Sequence, residues 1–315
     1  MATIRLGTRG SRLALAQAGW VADRLREVSP STDIEVVVIR TSGDVIQDVA
    51  LGPEHGQSFF TKEIEDALGE GRVDVAVHSC KDLSTLLPPG LTLAALPARE
   101  DARDVLVSRA HRLTDLPPGA TIGTSSVRRE RFLNRARPDL VVRDQRGNVP
   151  TRIQALDDGQ FDAVVLAAAG LHRLGMGSRV TEYLEVDVMV PAAGQGALAL
   201  EVRVDDARTC GLVARLDHAP TRAAVEAERS CLRRLGAGCQ APVGALGRVD
   251  GGDVVLEAAI PSPGGVARTR ISGGVGAPDV VGTLAAEDLL CQLGLGSLRE
   301  ADWAGLPPGR PGAYP

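Results

Sequence analysis

The feature that most constrains the fold is an alternation of short apolar segments with amphipathic ones, which starts twice along the chain. The first series has the apolar segments IRLG, IEVVVIRT, VDVAVHS and LTLAALP, with helices predicted from Ser11 to about Val28 and from about Thr61 to Leu68. The second has VLVS, ATIGT, LVVRD and DAVVLAAAG, with helices predicted at about 126–136 and 149–156. The alternation is typical of a largely parallel sheet covered by helices, so it predicts two α/β lobes.

A different pattern follows the second lobe. The segment GALALEVRV predicts one more strand, TRAAVEAERSCLRRLG a long amphipathic helix, and VDGGDVVLEAAI and PSPGGVARTRI a set of hairpins before a closing helix in DVVGTLAAEDLLCQLG. We therefore predict an α/β protein with a smaller C-terminal α+β domain. The predicted first lobe comprises residues 1–98 plus 197–215, the second 99–196, and the C-terminal domain 216–315.

Charge and composition limit the partners. A net charge of −5 and an aromatic content of 3% argue against nucleic acid or an anionic membrane as the main partner. The apolar run AVVLAAAGL is too short to span a bilayer, and the N-terminal segment lacks the features of a signal peptide. Five cysteines without a C-x-x-C pair favour a reduced, cytoplasmic setting, and the histidines show no metal-ligand spacing.

Two segments share one layout, which indicates paired anion sites. IRLGTRGSRLALAQ and ATIGTSSVRRERFL each contain a strand, Gly-Thr, a serine at a predicted helix N-cap, and arginines at the start of the helix. A serine there is by itself an ordinary cap. Because the amides of a helix N-terminus attract anions and arginine binds carboxylate or phosphate bidentately, two such segments, one per lobe, predict anion sites that face a cleft.

Other charged side chains follow predicted strands. VAVHSCKDLST places Ser79, Lys81 and Asp82 after a buried strand, where ligands meet parallel sheets. Asp82 could accept hydrogen bonds from ring N–H groups and stabilise a developing cation. RDQRGNVPTR contributes Arg143, Arg146 and Arg152, and Arg173 is predicted at a strand end. So many arginines in turns imply a ligand with several carboxylates or phosphates.

The stretch GAGCQAPVG places Cys239 on a glycine-rich turn with little side-chain cover. No histidine is near it in sequence, so attachment point and nucleophile remain equally open. We interpret Cys210, Cys231 and Cys291 as structural, and His78 as a histidine whose hydrogen bonds are satisfied within a strand.

Taken together, these motifs resemble the porphobilinogen deaminase family, also called hydroxymethylbilane synthases. The ordered set runs from LGTRGSRLALAQ through VDVAVHSCKDL, GTSSVRR, RGNVPTR and PAAGQGALALE to AERSCLRRLGAGCQAPVG. The resemblance implies a monomeric transferase of haem biosynthesis that condenses four porphobilinogen molecules, with loss of ammonia, into hydroxymethylbilane. It also implies two lobes like type II periplasmic binding proteins around a cleft, and a dipyrromethane cofactor joined to Cys239 by a thioether.

The resemblance also implies roles for individual residues. Asp82 is implied to be catalytic. The residues implied to bind the substrate are Arg9, Ser11, Arg152 and Arg173. Besides Cys239, those implied to bind the cofactor are Ser79, Lys81, Asp82, Thr124, Ser125, Ser126, Arg128, Arg129, Arg146, Gly147 and Gln195.

Some positions depart from the family pattern. The segment EHGQSFF stands where many members have a glycine-rich loop, and Ala102 and Ala241 replace usual residues, but no chemical group is lost. Two alternatives stay open at this point. One is a non-catalytic two-lobed protein that binds a polycarboxylate, and the other is a paralogue that acts on a different pyrrole.

Overall fold

The computed structural model describes residues 3–41, 61–237, 241–262 and 265–296. The chain divides into two compact units. The first comprises residues 1–100 and 197–222, and the second comprises residues 101–196 and 223–315. The predicted boundaries of three domains therefore stay predictions, because the second unit contains both the second lobe and the C-terminal segment.

The first unit is built on a five-stranded mixed sheet. Its order is β2-β1-β3-β10-β4, and β10 runs antiparallel to both of its neighbours. Four of the five strands therefore run in one direction, as the prediction of a largely parallel sheet requires. The strands are β1 (Thr3–Thr8), β2 (Asp33–Val38), β3 (Val75–Ser79), β4 (Leu91–Ala95) and β10 (Leu198–Arg203), and the helices are α1 (Arg12–Val28), α2 (Lys62–Gly69) and α6 (Ala207–Val213).

Helix α1 shows how the sequence pattern becomes packing. Its apolar residues recur at helical spacing and bury one face against the sheet, where each large side chain removed from water contributes about 1.5–3 kcal/mol. Ser11 caps its first turn by accepting a hydrogen bond from the amide of Ala14 at 3.2 Å. The buried cluster of helix and strands includes Leu6, Ala18, Val21, Leu25, Val75, Val77 and Leu200.

The second unit contains a sheet of the same kind. Its order is β7-β6-β8-β5-β9, in which β5 runs antiparallel to both neighbours. Two lobes of related design are thus confirmed. The strands are β5 (Asp104–Ser108), β6 (Thr121–Gly123), β7 (Val141–Arg143), β8 (Ala163–Ala167) and β9 (Glu182–Tyr183), and the helices are α3 (Val127–Ala136), α4 (Val149–Asp157) and α5 (Ala168–Arg173).

The C-terminal segment forms a three-stranded antiparallel sheet with two helices, as the hairpin signals predict. Gly247 lies so close to the helix before it that an added Cβ would be 2.6 Å from the carbonyl oxygen of Ala224. The elements are β11 (Gly244–Asp250), β12 (Asp253–Ser262), β13 (Gly265–Gly274), α7 (Ala219–Leu235) and α8 (Pro278–Leu293). Short 3-10 turns add Cys80–Asp82, Leu113–Asp115, Gly177–Arg179 and Ala214–Leu216.

Two local expectations are wrong and two are confirmed. Arg173 ends helix α5 rather than a strand, because the helix starts directly after β8. Cys291, which the sequence analysis interprets as structural, is exposed on α8. Cys231 is buried in α7, where burial raises the pKa of its thiol to about 12, and His78 is buried in β3. Among the described helices, none is both long and apolar enough to cross a bilayer.

Candidate active site

In the first unit, the end of β3 and the start of α1 bring four of the predicted residues to one cavity. This cavity has a volume of about 70 Å³ and its lining includes Arg9, Ser11, Ser79 and Asp82. Ser79 is the last residue of β3, and the 3-10 turn that follows carries Asp82. Lys81 lies half-buried in the same turn. The prediction that Lys81 and Asp82 directly follow a buried strand is confirmed, whereas the roles of these residues in ligand binding stay predictions.

A residue that the sequence analysis missed holds Ser79 in place. Gln17 lies on the buried face of α1 and donates a hydrogen bond from Nε2 to Ser79 Oγ at 2.9 Å. The available signal was a polar side chain at a position of α1 where the helical spacing calls for an apolar one. Because a buried amide is costly without a partner, such a residue usually marks a specific contact.

His78, which also lines this cavity, belongs to a group of buried ionisable side chains. His78 Nε2 lies 3.0 Å from Glu201 Oε2, a diagonal contact between the paired strands β3 and β10. Glu65 on α2 lies within electrostatic range of this pair. Burial, and next the charge of Glu201, raise the pKa of Glu65 above its usual range. His78 is therefore part of the sheet's support rather than a solvent-exposed base.

In the second unit, the start of α3 is organised by hydroxyl groups. The amide of Thr124 donates to the carbonyl of Arg143 at 3.0 Å, which ties the end of β6 to β7. The amide of Ser126 donates to Thr124 Oγ1 at 3.2 Å, and Ser126 Oγ accepts from the amide of Arg129 at 3.4 Å as the N-cap. The predicted serine cap is confirmed, and Ser125 lies between these two anchored residues.

Arg128 and Arg129 are only 5% and 6% exposed, so they are not surface cations. Arg128 donates to the carbonyl of Val190 at 2.7 Å and to Asp104 Oδ1 at 3.1 Å. Arg129 donates from Nε to the same Asp104 oxygen at 2.8 Å and to the carbonyl of Val165 at 3.0 Å. Both arginines are therefore held by the protein before any ligand arrives.

Asp104 is the second residue that the sequence analysis missed. It is fully buried, and its Oδ1 also accepts a hydrogen bond from Gln195 Nε2 at 3.1 Å. Burial alone would raise its pKa, but the charges of Arg128 and Arg129 outweigh burial and hold the pKa well below its usual range. The carboxylate is thus ionised at neutral pH. No local pattern in REDARD distinguishes it from the other acids there.

The turn before α4 contributes a third group of cations. Gly147 has φ +98, a conformation that glycine adopts without strain, and its carbonyl accepts from Arg152 Nε at 2.8 Å. Arg152 also donates to Ser125 Oγ at 3.2 Å, while Arg146 pairs with Asp144 at 3.0 Å. Burial, and next the charge of Arg129, lower the pKa of Arg152 to about 10. Positive charge is therefore in excess around Arg152.

Arg173 donates from Nη2 to the carbonyl of Gly196 at 2.7 Å. This bond places the end of α5 next to the turn that carries Gln195. Cys239 and the segment EHGQSFF lie outside the described residues, so the covalent attachment point and the departure from the family's glycine-rich loop have no structural test.

Two α/β lobes, each with hydroxyl groups and arginines at the start of a helix, are the class of fold that is suited to bind anions at helix N-termini. Residues 4–211 match the family model "Porphobilinogen deaminase, dipyromethane cofactor binding domain", and residues 222–290 match "Porphobilinogen deaminase, C-terminal domain". The chain belongs to the porphobilinogen deaminase family.

Curated relatives agree over nearly the whole chain. Porphobilinogen deaminase of Desulforudis audaxviator is 51% identical, with 93% of this chain and 96% of that protein covered. Its counterpart from Thermus thermophilus is 48% identical, with 93% and 97% covered. Among solved structures, the BenM effector binding domain with benzoate is 15% identical, with 68% of this chain and 89% of that chain covered and a TM-score of 0.42. The assignment of two lobes rests on the two sheets described above.

Proposed function

We propose that the chain is a transferase that joins four porphobilinogen molecules head to tail, releasing one ammonia per unit, onto a dipyrromethane linked to Cys239. Water then cleaves the bond between the primer and the four-unit chain, which leaves as hydroxymethylbilane and carries the hydroxyl group of that water. The single observation that carries this proposal is the match of both family models in order along the chain. The charge arrangement of the second unit supports it, because a pyrrole chain with carboxylate side groups is a polyanion.

The residues of the second unit fit such a group. Arg128 Nε is buried and has no hydrogen-bond acceptor among the described residues, and the pKa of Arg152 is lowered by burial and by neighbouring cations. An anion placed there would relieve both features. When bound, the dipyrromethane supplies the pyrrole carbon to which the first new unit is joined. The residues that would hold it are Ser79, Lys81, Asp82, Thr124, Ser125, Ser126, Arg128, Arg129, Arg146, Gly147, Gln195 and, covalently, Cys239.

Residues of both units would bind the incoming porphobilinogen, and Asp82 of the first unit would activate it. In the proposal, Arg9 and Ser11 bind its carboxylates at the start of α1, and Arg152 and Arg173 add further cationic contacts. The Asp82 carboxylate accepts a hydrogen bond from the pyrrole N–H. Its negative charge then stabilises the positive charge that develops on the substrate as ammonia leaves. Gln17 keeps Ser79 oriented beside this carboxylate.

Further parts of the proposal concern the whole molecule. We place domain boundaries at 1–98 plus 197–215, 99–196 and 216–315, the C-terminal domain carrying Cys239. We also propose a cytoplasmic monomer. Sedimentation or light scattering at micromolar concentration tests the oligomeric state, and a stable dimer would contradict it.

Intact mass of the purified protein tests the covalent cofactor. We expect the wild type to carry an increment of two linked pyrrole units, and Cys239→Ser to lose it. Cys291→Ser is the matched control, because that thiol is exposed on α8, and it should keep the increment. An unmodified wild type that is well folded, or an increment that survives in Cys239→Ser, would contradict the proposal. Mass analysis of the product after incubation with porphobilinogen separates a four-unit product from another chain length.

A further inference from the structure

We propose that Asp104 is a positioning residue of the cofactor site, whose carboxylate fixes the geometry of Arg128, Arg129 and Gln195. The inference rests on the proposed function, since those three side chains are the ones assigned there to the dipyrromethane. Asp104 itself is fully buried and contacts no ligand in this proposal. It acts through the three side chains that it holds.

One carboxylate oxygen accepts from three donors. Arg128 Nη2, Arg129 Nε and Gln195 Nε2 lie 3.1, 2.8 and 3.1 Å from Asp104 Oδ1. In addition, the distance between Arg128 Nη1 and Asp104 Oδ2 is 2.8 Å. These donors come from the first turn of α3 and from the turn after residue 193, whereas Asp104 begins β5. A single side chain therefore links three separate parts of the second unit.

Backbone carbonyls complete the support of the two arginines. Arg128 donates to Val190 and Arg129 donates to Val165, so each guanidinium is held on two sides. With these contacts made, both side chains are restricted in rotamer before a ligand binds. Preorganised donors do not need to be ordered at the moment of binding, which is the advantage of such a site.

The charges also show why a carboxylate is needed at this position. Two buried guanidinium groups face one carboxylate, so the group keeps one positive charge for an anionic ligand. Without the carboxylate, two adjacent cations would repel each other in a poorly solvated place, and both would be driven from their observed positions. An asparagine at this position would face the three donors either with its NH2 group, which cannot accept a hydrogen bond, or with its uncharged carbonyl oxygen, which is a weaker acceptor than a carboxylate.

Asp104→Asn is the principal test, and Asp74→Asn is the matched control. Asp74 is also largely buried and also pairs with two arginines, Arg5 at 2.8 Å and Arg203 at 3.4 Å. It lies before the first residue of β3, at the end of the strand opposite to Ser79. Both variants should lower the midpoint of thermal unfolding. Only Asp104→Asn should lower the fraction of protein that carries the covalent adduct after incubation with porphobilinogen, by at least tenfold.

The adduct fraction is measured by intact mass at a temperature well below every unfolding midpoint, where loss of fold cannot lower it. If Asp104→Asn does not fold, Asp104→Glu keeps the test open, because it retains the charge but moves the oxygen by one methylene. We expect that variant to fold and to form the adduct several-fold more slowly than the wild type.

Three results would overturn the inference. They are a normal adduct fraction in Asp104→Asn, an equal loss in Asp74→Asn, and a normal rate of adduct formation in Asp104→Glu. A wild-type protein without the adduct would instead overturn the proposed function and this inference with it, so the two failures are distinguishable.

Discussion

Replacing Asp82 with asparagine isolates the contribution of one negative charge to the proposed reaction. Asp82 is half-buried beside a small cavity, and asparagine keeps its shape and one acceptor oxygen. A unit positive charge about 4 Å away, at the effective dielectric constant of about 20 that applies near a protein surface, interacts with the carboxylate by about 4 kcal/mol. If that energy is available only in the transition state, its loss lowers kcat about 1,000-fold.

The Michaelis constant should change far less, because asparagine still accepts the pyrrole N–H. Stability should change by no more than about 0.5 kcal/mol, since the side chain is partly solvated. The assay is steady-state formation of hydroxymethylbilane, with kcat expressed per adduct-bearing molecule as counted by intact mass. Asp23→Asn serves as the control, since this carboxylate is exposed on α1 and pairs with Arg26 at the surface.

The reasoning about Asp82 would be refuted by a kcat within tenfold of the wild type. It would equally be refuted by a loss that appears entirely in KM, because such a loss would mean that the carboxylate binds the ground state and the transition state equally well.

The remaining predictions concern the supporting residues. Gln17→Leu removes the hydrogen bond to Ser79, so it should raise KM for porphobilinogen several-fold and lower the free energy of unfolding in urea by about 1 kcal/mol. An unchanged KM would show that Ser79 does not need this hydrogen bond. Gly247→Ala should cost about 2 kcal/mol by the same method, because the new Cβ meets the carbonyl of Ala224, and a neutral effect would show that α7 can shift. Burial alone would raise the pKa of Asp74, but hydrogen bonds to arginine outweigh burial and lower it, so the stability that Asp74 contributes is present above about pH 4 and is lost at lower pH. The free energy of unfolding should therefore fall less steeply with decreasing pH in Asp74→Asn than in the wild type. An identical pH dependence in the two proteins would contradict this.

Most of the fold could be predicted from local sequence patterns. The helix starts at Ser11 and Ser126 were predictable because a serine cap and an apolar spacing occur within a few residues of each other. The alternation of apolar and amphipathic segments likewise predicted both lobes. The sequence predicts Arg173 at a strand end because the apolar run before it continues into α5, and periodicity cannot separate a buried strand from a helix that follows it directly.

The site was predictable only in part, because its supporting contacts join residues far apart in the chain. Arg128 and Arg129 were named from motifs, but the partner that holds them, Asp104, is one acid among several in REDARD. Nothing local distinguishes it from Asp101, which pairs instead with Arg103. Gln17 gave a weak signal as a polar residue on a buried helix face, but its partner Ser79 could be found only from the three-dimensional structure.

The position of β10 has a consequence for how the chain is made. This strand lies between β3 and β4, yet it follows β4 by about 100 residues. At about 5–20 residues per second, a ribosome needs roughly 5–20 s to deliver it. During that interval the first unit has two strands without the neighbour that will join them, and exposed strand edges invite pairing with other chains. The sheet of the second lobe can therefore form while the sheet of the first lobe still lacks β10. Newly made protein should depend most on chaperones in that interval.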